Sequence, residues 1–212
     1  MNLERIIKTI SPERFEPYKR RYPNNLNKSF ILYQSNLEIS QAFYSSLSIL
    51  EVSLRNSIHE KFKNHYGKTD WYNELPTELK QQVLEVEKRL IKSRKEVTTD
   101  RIIAELNFGF WTTLFNRNNA KFLWKPLLKS FPNIPNDFRK RTKVSASLNR
   151  IRTFRNRIYH YEPIIWDIQQ IIEKRKEIFE ILNWIEPDTE KWAKEIDTFD
   201  LVRKKIKNNL NK

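Results

Sequence analysis

One short segment of the chain carries an arginine, an amide and an imidazole within about one and a half helical turns. These are Arg155, Asn156 and His160, the first, second and last residues of the run RNRIYH. Histidine can accept or donate a proton near neutral pH, and arginine supplies a permanent positive charge. Breaking a phosphodiester bond needs both proton transfer and stabilisation of negative charge. Because the chain has only three histidines, His160 is the scarce group.

The reaction that these groups suit best is cleavage of RNA through its 2′-hydroxyl. A base removes the hydroxyl proton, an acid protonates the departing 5′-oxygen, and a cation stabilises the charge developing on the phosphate. We assign proton transfer to His160, charge stabilisation to Arg155, and orientation of His160 or a phosphate oxygen to Asn156. The arginine–histidine spacing is a weak pattern by itself. The alternative for His160 is a helix C-terminal residue that the helix dipole stabilises.

Most of the positive charge lies in the same part of the chain. The formal net charge is +14, and residues 106–161 contain twelve lysines and arginines against one acid, Asp137. Because arginine binds phosphate with two parallel hydrogen bonds, this distribution favours nucleic acid as a partner. A merely solvated helix surface is the alternative. The residues expected to contact RNA are Arg139, Lys140, Arg141, Lys143, Arg150, Arg152 and Arg157.

The composition predicts an all-α protein. The chain has two glycines and no cysteine, and helices avoid glycine whereas sheets and tight turns use it freely. Disulfides and thiolate metal sites are excluded, and neither a His-Glu-x-x-His motif nor a glycine-rich phosphate loop occurs. We therefore expect no metal, no cofactor and in particular no nucleotide cofactor. There is no secretory leader or membrane-length apolar run, so a cytoplasmic protein without membrane contact is expected.

Hydrophobic periodicity predicts a single helical domain, residues 1–212, with three segments. Residues 1–26 form short helices that prolines interrupt, residues 27–187 form the core, and residues 188–212 form an amphipathic helix with a basic tail. Within the core, residues 27–66 are predicted as one very long helix or two collinear ones. A further, peripheral helix opens near Pro76.

Capping residues and prolines predict the remaining boundaries. A helix capped near Thr98 runs into the aromatic sequence FGFW at residues 108–111. The aromatic and leucine side chains that follow, including Phe122, are expected to pack in the core rather than to stack on bases.

The motif itself is expected on a helix from Asp137 or Phe138 to about Tyr161. The next helix is predicted at residues 164–185, and Asp188 is expected to cap the last one.

Helix geometry places the motif residues on different sides of their helix. Steps of three and four residues put Asn156, Tyr159 and His160 on one stripe. Arg155 lies about 100° around the helix from Asn156 and about 140° from His160. One helix therefore presents arginine and histidine poorly to a common target. Two copies facing each other across a two-fold axis do so better, which predicts a composite site in a homodimer.

Three blocks of the sequence resemble the Abi-like (abortive infection) proteins. The run from Glu51 to His59 resembles their LExxLRNxI signature, residues 108–111 resemble the next block, and Arg152 to Pro163 resembles RxxRNxxxHxxP. Order and spacing agree over roughly residues 30–185. These proteins belong to the HEPN superfamily, so the resemblance implies a HEPN-like helical bundle with peripheral helices.

The resemblance also implies a function. HEPN proteins are commonly metal-independent endoribonucleases whose Arg-x(4–6)-His motifs meet at a dimer interface and leave a 2′,3′-cyclic phosphate. In this chain that motif is Arg155 to His160, with Asn156 as the polar residue after the arginine. Abi-like members are associated with phage defence and toxin–antitoxin systems, and some resemble toxins that a small structured RNA holds inactive. RNA is thus implied as substrate and as a candidate antitoxin.

One departure from the relatives concerns regulation. Those controlled by nucleotidyltransferase antitoxins carry His-x-Tyr, whereas here Tyr161 follows His160 directly. An RNA or protein antitoxin is therefore expected instead. The earlier Arg-Asn pair, at Arg55, is expected to be structural, with Arg55 paired to Glu51 one turn back on the helix.

The sequence leaves more than one hypothesis open. The first is an endoribonuclease, active as a homodimer, that serves as a phage-defence effector or a toxin. The alternative is a non-catalytic RNA-binding HEPN module that binds a structured RNA. A third class is an all-helical scaffold for protein interactions.

Overall fold

The prediction of an all-α protein is confirmed. A computed structural model describes residues 2–210, which contain twelve α-helices, 3-10 turns at Trp71–Glu74 and Asn136–Phe138, and no β-strand. The helices are α1 (Leu3–Ile10), α2 (Pro12–Arg21), α3 (Leu26–Ala42), α4 (Tyr44–Tyr66), α5 (Thr77–Lys92), α6 (Thr99–Glu105), α7 (Phe108–Thr113), α8 (Arg117–Leu128), α9 (Arg141–Tyr159), α10 (Ile168–Ile185), α11 (Pro187–Glu195) and α12 (Phe199–Leu210). None of these described helices is long and apolar enough to cross a membrane.

Helix α4 forms the centre of the core. Its inward residues Leu50, Leu54, Ile58 and Phe62 recur every four positions and are fully buried, which confirms the helical periodicity of the sequence. Helices α7, α8, α10 and α11 pack against α4, and α9 packs against α7 and α10. Helix α9, which carries the candidate motif, therefore has one face in the core and one face in solvent.

Helix α3 carries a second layer of helices. Helices α1, α2 and α12 all pack against it, so the two terminal segments meet on this helix. Tyr18 of α2 is buried with its ring against Tyr33, and Ile206 of α12 is buried as well. The predicted segments 1–26 and 188–212 extend slightly beyond the structure, because Met1, Asn211 and Lys212 lie outside the described residues.

Two of the predicted helices are interrupted, and the 27–66 segment takes its two-helix form. Phe43 alone separates α3 from α4. The helix capped near residue 98 ends early, because Asn107 accepts the N–H of Phe110 at 3.0 Å and starts α7. The last helix is split where Asp197 accepts the N–H of Phe199 at 3.1 Å and starts α12. Asparagine and aspartate interrupt helices in this way because their side chains compete for backbone N–H groups.

The two helices around the motif begin later than predicted. Helix α9 starts at Arg141, whereas Asp137 and Phe138 lie in the 3-10 turn. Helix α10 starts after Asp167, whose side chain accepts the N–H of Gln170 at 2.9 Å. The residues between the two helices, 160–167, are therefore irregular.

Two further predictions were wrong. Glu186, not Asp188, caps α11, because its carboxylate accepts the N–H of Asp188 at 3.2 Å. Phe122 is 71% exposed on the outer face of α8, whereas the next residue, Leu123, is buried. Adjacent residues of a helix lie about 100° apart, so an aromatic run cannot be buried at every position.

Candidate active site

The motif lies where α9 ends, and the end has a defined geometry. His160 is the C-cap residue, and Tyr161 after it adopts the left-handed conformation with φ +58°. Tyr161 donates its N–H to the Ile158 carbonyl at 3.0 Å, and Glu162 donates to the Arg157 carbonyl at 2.9 Å. This pair of bonds is a Schellman motif, which satisfies the last carbonyls of the helix. It places His160 at a fixed position on the helix end.

The chain after the motif is tied to α3 by Asn36. The Asn36 Oδ1 atom accepts the N–H groups of Ile164 at 2.7 Å and Ile165 at 3.2 Å, and its Nδ2 donates to the Glu162 carbonyl at 3.4 Å. Asn36 is buried, so these bonds are shielded from water. The sequence patterns had not singled out Asn36. The signal available was an amide on the buried face of α3, one turn from Leu32.

Arg155 is held by contacts to two neighbouring groups. Its Nη2 atom lies 3.1 Å from the Glu51 carboxylate on α4, and its guanidinium lies over the Tyr159 ring, 4.3 Å from the ring centre. Arg155 and Glu51 are each about one quarter exposed, at 24% and 23% of their side chains. Burial raises the pKa of the Tyr159 hydroxyl above its ordinary value. Two blocks of the sequence, far apart along the chain, therefore meet at this point.

The prediction that Arg55 pairs with Glu51 was wrong. Arg55 instead donates to the Asn56 side chain at 3.2 Å and to the Ala104 carbonyl at 3.4 Å. Glu51 turns to Arg155, because that guanidinium approaches it from the adjacent helix. The role of Glu51 is thus to hold a residue of the motif and not to pair within its own helix.

His160 and Asn156 lie next to each other on the exposed side of α9. The backbone N–H of His160 bonds to the Asn156 carbonyl at 2.8 Å, and both side chains are exposed. Within residues 2–210, no hydrogen bond or ion pair joins Arg155 to either of them. Arg155 instead points toward α4, as the helical offset predicts. One copy of the chain therefore presents two separate parts of the motif.

The other two histidines have different environments. His59 accepts a hydrogen bond from the Trp71 indole at 2.9 Å through Nδ1, and burial lowers its pKa below the ordinary value. This makes His59 a structural residue. His65 is exposed near the end of α4, with its ring 4.8 Å from that of Tyr66. His160 is thus the one exposed imidazole that the described structure places beside an arginine-rich helix.

The cations expected to bind RNA fall into two groups. Arg150 pairs with Glu177 of α10, and Arg157 pairs with Glu162 at 3.3 Å and also bonds to the Pro163 carbonyl. These two arginines are already engaged in ion pairs within the fold.

The other group has no carboxylate partner in the described part of the chain. Arg139 donates to the Ile134 carbonyl at 3.2 Å and Arg141 to the Phe115 carbonyl at 3.2 Å. Lys143 lies over the Phe138 ring at 5.0 Å. Lys140 is exposed and Arg152 is half-buried, and neither forms an ion pair with another residue in the range 2–210.

The start of α9 and the start of α8 form one basic surface. Arg141 borders a hollow of about 760 Å³ together with Arg117, Lys121 and Trp124 of α8. The lysines and the arginine of α8 belong to the basic stretch of the sequence but were not among the residues predicted to contact RNA. Nineteen residues of α9 separate this surface from His160, a distance of about 28 Å.

Comparison with family models, with curated proteins and with solved structures gave no match. The site is therefore interpreted from its own geometry: a capped helix end with an exposed imidazole, an anchored guanidinium on another side of the same helix, and a basic surface at the far end of that helix.

Proposed function

We propose that the chain is a metal-independent endoribonuclease, active as a homodimer, that acts as a phage-defence effector or as the toxin of a toxin–antitoxin pair. The observation that carries the proposal is the geometry at the end of α9. The helix cap fixes the backbone of His160, whose imidazole is exposed, and Glu51 holds Arg155, five residues earlier, in place. The Abi-like resemblance and the basic surface support RNA as the substrate.

In the proposed reaction, His160 removes the proton of the 2′-hydroxyl. The 2′-oxygen then attacks phosphorus, the bond to the 5′-oxygen breaks, and that oxygen takes a proton. The products are a 2′,3′-cyclic phosphate and a 5′-hydroxyl. Because one chain places a single imidazole here, the second proton comes from His160 of the partner copy in a composite site.

Arg155 stabilises the extra charge on the phosphate during the attack. Its guanidinium has five N–H donors in a planar fork, and Glu51 engages one terminal nitrogen, so donors remain for a phosphate oxygen. Glu51 and Tyr159 hold the guanidinium in a single orientation, which reduces the entropy lost when the phosphate binds. Asn156, exposed beside His160, orients the imidazole or a non-bridging oxygen.

The His160→Ala variant tests the proposal. We expect cleavage of single-stranded RNA to fall about 10²- to 10⁴-fold, the usual contribution of a general acid–base group. The products of the wild-type protein should end in a cyclic phosphate, and EDTA should not change the rate. His65→Ala is the matched control, because it removes an exposed imidazole on another helix. If wild-type protein stripped of bound nucleic acid leaves RNA intact, the proposal fails.

The second candidate is a non-catalytic RNA-binding module. One observation favours it: Arg155 is engaged by Glu51 and Tyr159, and no contact joins it to His160 in the described chain. Under this alternative RNA binds with a steep salt dependence and remains uncut, and His160→Ala binds as tightly as the wild type.

A further inference from the structure

A groove lies between α2 and α12 and above α3, and it also includes Ile165 and Trp166 from the segment that follows the motif. Its volume is about 940 Å³, within the range of pockets that hold small ligands. Arg20 and Arg21 form one rim, and Arg203, Lys204 and Lys207 form the other. The residues that share its floor are aliphatic: Leu32, Ile39, Ile165, Ile168, Ile206 and Leu210.

The rim is strongly positive, and within residues 2–210 no carboxylate lines the groove. Arg20 and Arg203 each have an acidic partner on their own helix, at 3.1 Å and 3.3 Å. Arg21, Lys204 and Lys207 have no ion pair in the described chain. These three unpaired cations carry more positive charge than one carboxylate could neutralise. They therefore suit a ligand with several negative charges.

Trp166 is the exposed large hydrophobic side chain among the described residues that line the groove. Trp166 is 46% exposed and lines the cavity, while its ring is supported by Tyr18 at a centroid distance of 5.3 Å. The deep aliphatic residues Leu32, Ile39 and Ile206 are each at most 6% exposed, because α3 and α12 already cover them. The groove therefore offers an aromatic ring for stacking, whereas its deepest aliphatic residues are already covered.

Trp166 also has a defined position. It follows Ile165, whose N–H is held by the buried Asn36, so the backbone leading to the ring is anchored to α3. A supported, half-exposed indole is the kind of surface on which any of the nucleobases can stack, because every base has a flat aromatic face.

We propose that this groove binds a nucleoside polyphosphate. The base stacks on Trp166, and the phosphates are bound by Arg21, Lys204 and Lys207. No glycine-rich loop is needed, because side-chain cations replace the backbone N–H groups of such a loop. The ligand is bound and not consumed. The site is separate from the proposed ribonuclease residues, so its occupancy can be measured without reference to RNA cleavage.

Titration calorimetry on the full-length protein, freed of nucleic acid at high salt, tests the proposal. The probes are ATP, inorganic triphosphate and a DNA hexamer, which lacks the 2′-hydroxyl. We expect Trp166→Leu to weaken ATP binding about tenfold, with triphosphate binding unchanged, and Trp166→Phe to restore most of the affinity. Lys204→Ala/Lys207→Ala should weaken both ATP and triphosphate, by about tenfold or more.

Matched controls are available on other surfaces. Trp192 of α11 is 52% exposed and lies outside the groove, so Trp192→Leu should bind ATP as the wild type does. Lys88→Ala/Lys92→Ala on α5 removes the same amount of charge at a distant surface and should also have no effect. His160→Ala should bind ATP normally, whether or not the protein cleaves RNA.

Three outcomes would overturn the proposal. The first is no heat of binding with ATP at millimolar concentration. The second is binding that the Trp166 and lysine variants leave unchanged. The third is tighter binding of the DNA hexamer than of ATP through the same residues, which would make the groove a contact for a nucleic-acid strand. If Trp166→Leu does not fold, the Lys204→Ala/Lys207→Ala variant provides the test. ATP binding as tight as that of the wild type would then overturn the proposal.

Discussion

The two ends of α9 carry the same kinds of residue in different electrostatic surroundings. At the C-terminal end, Arg155 is paired with Glu51 of α4, and Arg157 is paired with Glu162 in the segment just after the helix. At the N-terminal end, Arg139 and Arg141 bond to backbone carbonyls and to no carboxylate of residues 2–210, and Lys143 lies over an aromatic ring. The two ends are about 28 Å apart. The sequence shows one continuous basic stretch. In the described structure, the cations at the C-terminal end of α9 are paired with carboxylates, whereas those at the N-terminal end are not.

The difference suggests a division of labour. Ion pairs fix the orientation of a side chain but remove most of its long-range field, whereas unpaired cations attract a polyanion over distances up to the Debye length. Under the proposed function, the C-terminal end would position the reacting groups and the N-terminal end would hold the RNA backbone. Each of the following variants would break or sharpen that comparison.

The largest effect is expected on cleavage when one arginine at each end is removed. Arg155→Ala should lower kcat about 10²- to 10³-fold, because it removes stabilisation of the transition state. Arg141→Ala should raise KM a few-fold and leave kcat unchanged, because the lost contact binds the RNA equally strongly in the ground state and in the transition state. Steady-state kinetics with one RNA substrate measures both. Equal losses of kcat in the two variants would contradict the division between the ends.

Removing the anchor of the C-terminal end should cost folding stability. Asn36→Ala leaves the buried N–H groups of Ile164 and Ile165 without an acceptor, and the free energy of unfolding should fall by about 2–4 kcal/mol. Arg139→Ala, which removes an exposed contact at the other end, should cost under about 0.5 kcal/mol. Urea unfolding measures both, with Gln34→Ala on the exposed face of α3 as control. A loss in Asn36→Ala no larger than that in the control would show that the segment is not anchored.

Salt dependence separates free cations from paired ones. Lys140→Ala/Lys143→Ala should reduce the slope of log K against log salt for single-stranded RNA by about 1.4, or about 0.7 per lost phosphate contact. Arg150→Gln should change the slope by less, because Glu177 already neutralises that arginine. Fluorescence anisotropy at several salt concentrations gives the slopes. If Arg150→Gln reduces this slope by as much as one lysine substitution does, the distinction between paired and unpaired cations is contradicted.

The smallest effect is expected at the helix cap. Tyr161 and Gly67 both follow a helix end with positive φ, at +58° and +70°. Gly67→Ala should destabilise the protein by about 1 kcal/mol, because the added Cβ favours another conformation and makes no contact within 4 Å.

Tyr161→Gly should change stability by less than about 0.5 kcal/mol. Relief of backbone strain is offset by the freedom of glycine in the unfolded chain and by the lost contact of the ring with Arg14, 5.5 Å away. Thermal unfolding measures both variants. A clear gain in stability for Tyr161→Gly would show that the native cap stores strain.

Much of the fold could be predicted because burial follows helical periodicity. The buried stripe of α4 and that of α5, from Leu79 to Leu90, appear in the sequence at steps of three and four. The helix boundaries at Asn107 and Asp197 could not be placed, since a local side-chain bond and a continued helix are close in energy. Phe122 was misplaced because aromatic composition does not reveal which face of a helix meets the core.

The sequence by itself determined the helical class, the central helix and the residues of the candidate motif, because these depend on composition, short-range periodicity and residue type. Only the tertiary structure decided that Arg155 pairs with Glu51, 104 residues away, that Asn36 anchors the chain after His160, and that α2 and α12 enclose a basic groove. These features join residues distant along the chain. Their free energies arise from packing that no local pattern encodes, so they appear only when the helices are assembled.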